Sequence, residues 1–177
     1  MRNLIDELKN LQAAGKLLSE EPLFKGDFTP LTQEHIAEIE TLFHFRLPSL
    51  LKAVYTEVSN GGFGPSYGLM GLSGGMLNES GRDAVSLYLN FRESRPDDPY
   101  WNWPEKLLPL GHLGCGMYCC LDCSQEKMPV VWFEPNPHED GQPWDDSYFD
   151  LIDSFEAWIF AYIDGEDLFQ KFFDNYA

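Results

Sequence analysis

The tripeptide Asn60-Gly61-Gly62 divides the chain into two hydrophobic regimes. Before it, apolar residues recur every three or four positions, the period of an amphipathic helix. After it, from Gly61 to Gly81, glycine is frequent and apolar runs are short, the pattern of a strand or loop. Asn60 tolerates positive φ, and two glycines without a Cβ follow it, so the triplet predicts a helix stop and a sharp reversal.

Three helices are expected on the N-terminal side. Leu4, Ile5, Leu8 and Leu11 predict a short helix over residues 3–13, closed by Gly15. Thr32 is a good N-cap, with Leu31 and Ile36 placed as a hydrophobic staple and Ile36, Ile39 and Phe43 on one face. A further helix is expected to begin at Pro48 and to bury Leu50, Leu51, Val54 and Val58.

On the other side, Tyr67-Gly68-Leu69-Met70 reads as strand or loop, and residues 82–93 as a helix with Val85 and Leu89 inward together with Phe91 or Leu87. Leu107 to Leu110, Gly116 to Asp122 and Pro129 to Glu134 predict strands of a mostly antiparallel sheet. Residues 135–147 read as loop. Two helices are expected to close the chain, one capped by Asp153 or Ser154 and ended by Gly165, the other over Asp167 to Tyr176. Helices, sheet, then helices define an α+β domain. No repeat or linker divides its 177 residues.

Charge narrows the range of functions. The chain carries 12 basic and 29 acidic side chains, a net −17, and residues 131–177 hold 12 of the acids against a single base. Such a field repels nucleic acid and anionic membranes and attracts basic proteins. Acidic residues at the start of the chain and the absence of any long apolar run point to a cytoplasmic protein without a membrane span.

Cys115, Cys119, Cys120 and Cys123 raise the possibility of a zinc or redox site. Strand alternation argues against it, because it sends Cys119 and Cys120 to opposite faces, and buried thiols serving as small hydrophobes are the better account. His112 and Cys115 could be imagined as base and thiol, but nothing supplies an orienting third group. His35, His44 and His138 fall in no metal pattern, and the glycines of 61–81 lack the lysine of a phosphate loop. No catalytic residue, metal or cofactor is expected. The remaining candidate is a protein-binding surface in the densest acidic and aromatic stretch: Glu134, Glu139, Asp140, Trp144, Asp145, Asp146 and Asp150. A solvated loop over an aromatic core is the alternative, and for Trp144 and its acidic neighbours both readings stay open.

Leu47-Pro48, then Asn60-Gly61-Gly62 with Phe63-Gly64-Pro65, then Pro109-Leu110-Gly111-His112 with Gly114-Cys115-Gly116 occur here in order. Pro129-Val130-Val131-Trp132-Phe133 and Ser154-Phe155-Glu156-Ala157-Trp158 complete a series that resembles the SMI1/KNR4, or SUKH, superfamily over roughly residues 27–170. On this resemblance, residues 27–177 form one SUKH-like domain and residues 1–26 its N-terminal helical extension. The resemblance implies an α+β fold, no catalytic residues and, for the bacterial type, an immunity protein that binds and neutralises a toxin. Nuclease toxins are natural targets, because an acidic inhibitor mimics the phosphates that their basic faces bind. The fungal type implies a regulatory scaffold without a toxin partner.

Overall fold

In the computed structural model, residues 2–18, 26–65, 67–166, 168 and 170 are described. The N-terminal side carries helices α1 (Leu4–Ala13), α2 (Gln33–Phe43) and α3 (Ser49–Glu57). Thr32 caps α2 as expected: its Oγ1 accepts from His35 N, and His35 Nδ1 accepts from Thr32 N, a capping box with histidine in the place usual for glutamate. Ile36, Ile39 and Phe43 are buried together, as are Leu51, Val54 and Val58, whereas Leu50 is half-buried.

One carboxylate joins α2 to α3. Glu40 is 7% exposed; its Oε2 accepts from Arg46 Nη1 at 2.6 Å and its Oε1 from Leu47 N at 2.9 Å, with Lys52 Nζ at 3.3 Å. Burial alone would push this carboxyl up, but the hydrogen bonds from Arg46 and Leu47 outweigh burial and hold it below the usual glutamate range.

At the reversal, Gly61 and Gly62 have φ of 80° and 82°, as expected, but Asn60 does not adopt positive φ. Its role is different. The buried Asn60 side chain donates from Nδ2 to Ser73 O and accepts at Oδ1 from Leu72 N, binding a loop twelve residues downstream. The asparagine is there for its carboxamide, and the glycines make the turn.

Helix α4 (Ala84–Arg92) is capped by Asp83, whose Oδ1 accepts from Ser86 N; Val85, Leu87 and Phe91 are buried and Leu89 half-buried. Four antiparallel strands then meander in the order β1 (Leu107–Gly114), β2 (Met117–Asp122), β3 (Val130–Phe133) and β4 (Tyr148–Ile152), and α5 (Phe155–Ile163) follows. Three strands match expectation. The fourth was not foreseen, and a 3-10 turn at Asp145–Ser147 leads into it. Ser154, the expected N-cap, accepts from Ala157 N to start α5. The second C-terminal helix expected over Asp167 to Tyr176 lies outside the described residues.

Each face of the sheet meets different partners. Tyr118 and Phe133, opposite each other in register, pack against Phe91 of α4 and the Trp101–Trp103 segment. On the reverse face, Trp158 of α5 lies so close to Gly111 that a Cβ there would meet its Cη2 at 2.8 Å. The outer edge of β1 is covered by residues 67–70, through Met70 N to Leu110 O, Tyr67 N to His112 O and His112 N to Gly68 O. Among the described residues no strand pairs with the outer edge of β4.

Candidate interaction surface

The loop after β3 and the turn before β4 bring three of the candidate carboxylates together. Glu139, Asp145 and Asp146 line a hollow of about 440 Å³ with Pro137, Gln142 and Pro143. Asp140 is exposed in the same loop, next to Gly141, whose φ of 79° reverses the chain. Asp150 stands exposed in the middle of β4, opposite Val131. Glu134 is separate from this group: it is half-buried at the end of β3 and its Oε1 accepts from Asn136 N at 2.8 Å. None of Glu139, Asp140, Asp145, Asp146 and Asp150 forms an ion pair with another described residue. No direct ion pair neutralises them, and their field reaches about 8 Å into physiological salt.

Trp144 differs from its acidic neighbours. It is half-buried, its ring meets Trp101 edge-on at 4.9 Å, and His138 stacks on it at 3.6 Å. Its Nε1 donates to Asp98 Oδ2 at 2.7 Å. The indole holds the acidic loop against the 98–101 segment, so packing takes up most of its surface.

The cysteines fall as strand alternation requires. Cys119 pairs in register with Trp132 and Cys120 with Val131, on opposite faces. Cys119, Cys120 and Cys123 are buried free thiols, and burial pushes Cys119 and Cys123 up to about 12. Cys115 is exposed in the β1–β2 turn, with φ of 51° followed by 77° at Gly116. His112 is buried between Tyr67 and Tyr118, with Nε2 4.0 Å from Glu79 Oε1. Burial lowers its affinity for a proton, and Glu79 partly restores it. Among the described residues, no group of three or more His, Cys, Asp or Glu side chains is placed to hold a metal ion. No helix among them is long and apolar enough to cross a membrane.

Helices leading into a four-stranded meander, closed by a helix and edged by unpaired carboxylates, define an α+β domain whose distinctive surface is a charged one. The chain belongs to the SMI1/KNR4 family (SUKH-1), whose family model matches residues 30–161. This family is associated with immunity proteins and is generally a non-enzymatic domain. No curated protein matches the chain.

Sequence reasoning passed over Arg82 and Arg95, which line a second hollow together with Trp144. Single basic residues in separate loops carry no spacing signal, so only the folded chain reveals their meeting.

Proposed function

We propose that this protein is a non-enzymatic binding module, an immunity protein that neutralises a basic toxin by occupying its functional face. The observation that carries this reading is the set of carboxylates without ion pairs, Glu139, Asp145 and Asp146 around the hollow before β4 and Asp150 within β4, in a SUKH chain of net charge −17. Such a surface accelerates encounter with a cationic partner and sets its orientation. Residues 27–177 act as the binding domain, with 1–26 as its extension, in the cytoplasm.

Co-expression with a toxin-like product of an adjacent gene, scored for survival and for a purified complex, is the test. Rescue that weakens in the D145K/D146K/D150K variant, with an association rate that falls as salt rises, is expected. Unchanged rescue and salt dependence in that variant would place the contact elsewhere. Rescue failure together with stable capture of cytoplasmic proteins would favour the scaffold reading.

A further inference from the structure

Three of the chain's five arginines find an acceptor. Arg2 pairs with Glu7 and Asp164, Arg46 with Glu40, and Arg92 donates to Trp103 O. Arg82 and Arg95 do not. Among the described residues, neither guanidinium has a hydrogen-bond acceptor or a direct ion pair, and Asp98 acts on Arg95 only through space. Both line one cleft of about 260 Å³, walled by Phe91, Trp101, Tyr118 and Trp144. Arg95 lies flat on Trp101, its Cζ 3.3 Å from the ring centroid, which leaves its N–H edge available.

The cleft holds a third donor. Asn78 Oδ1 accepts from Ser80 N and Arg82 N, which identifies its other terminal atom as the amide nitrogen. That nitrogen donates to Tyr118 Oη at 3.0 Å, so the hydroxyl acts as acceptor there and keeps its own proton to donate. No acceptor for that proton is found among the described residues. Two guanidinium groups and a hydroxyl, all lacking acceptors and set among aromatic rings, call for a compact anion with an apolar stem.

We infer that this cleft is a socket for an acidic side chain of the protein partner, a glutamate or aspartate whose methylenes lie between the rings and whose carboxylate meets Arg82 and Arg95. A polyanion is disfavoured by the surrounding negative charge. Pro143 and Asp145 line the acidic hollow while Trp144, between them, lines this cleft. One indole thus separates two sites of opposite polarity. A partner must offer a base to one and an acid to the other, which discriminates by arrangement and not by net charge alone.

The source of the carboxylate rests on the protein-binding reading, but the socket can be tested without any partner. Isotope-labelled full-length chain is titrated with N-acetyl-glutamate N-methylamide, with its glutamine analogue and with inorganic phosphate, following arginine Nε–H and indole N–H signals. Saturable shifts at Arg82, Arg95 and Trp101, but not at Arg46, are expected with the glutamate compound. Binding should be about tenfold weaker with the glutamine analogue and lost in R82Q/R95Q. Equal response to the glutamine analogue, persistence in R82Q/R95Q, or no saturable shift would overturn the socket. Phosphate acting at lower concentration than the glutamate compound would overturn its assignment to a carboxylate side chain. Failure of the socket leaves the acidic-face test of function standing, and the reverse also holds.

Discussion

Asn60 and Gly75 are in contact so close that a Cβ on Gly75 would stand 2.2 Å from the Asn60 carbonyl oxygen. Together they lock the end of α3 to the loop before α4, since the Asn60 carboxamide also serves Leu72 N and Ser73 O. Asn60→Ala strands a buried donor and a buried acceptor and should destabilise the protein by about 2–3 kcal/mol. Asn60→Asp keeps the acceptor but aims a carboxylate at the Ser73 carbonyl, so it should destabilise as well. Urea unfolding of both variants checks this.

Gly111 admits α5 to the sheet. Gly111→Ala should cost about 1–3 kcal/mol through overpacking, because the new methyl meets both Trp158 and the Cβ of Cys119. Gly111 has no positive φ, so the cost is steric alone. In a Trp158→Phe background the same substitution should cost less. A double-mutant cycle by thermal unfolding measures that coupling, expected at about 0.5–3 kcal/mol.

Glu40 links stability to pH. Its folded-state carboxyl titrates below the ordinary 4.5, so its contribution is complete above that value and is lost as pH falls through the lower folded one. Glu40→Gln should lower stability at neutral pH by about 1–3 kcal/mol and flatten the stability–pH profile on the acid side. Denaturant midpoints taken from neutral pH down past 4.5 for both proteins decide the sign.

Cys115-Gly116 joins β1 to β2 with positive φ at both residues, the sign pattern of a type I′ turn. Asparagine suits the first of those positions better than cysteine, so Cys115→Asn should stabilise by about 0.5–1 kcal/mol. In the native chain one thiol should react quickly with an aromatic disulfide reagent, and the other three only on unfolding. In Cys115→Asn the fast phase should vanish.

The helices are legible in the sequence because their signals are local. Thr32 and Ser154 cap within three residues, and the apolar period of α2 and α3 names their buried faces. β4 is not legible for the opposite reason. Tyr148-Phe149-Asp150-Leu151-Ile152 has four apolar residues around a single charge, without alternation, and becomes a strand only because β3 offers it a ladder. The acidic candidates were readable as a stretch, but their division was not. Glu139, Asp145 and Asp146 gather around one hollow while Glu134 turns to Asn136 and Trp144 packs inward, a sorting that depends on contacts with segments up to 46 residues away. The structural task of Asn60 was hidden likewise, because its hydrogen-bond partners sit 12 and 13 residues along the chain with no periodicity to mark them.

Residues 67–70 cover the outer side of β1 from Leu110 to His112 with backbone hydrogen bonds of their own. A ribbon of stacked copies needs two open borders, one to give and one to receive. A border already occupied by its own chain cannot receive a strand from a second copy, so head-to-tail addition through this sheet is blocked there.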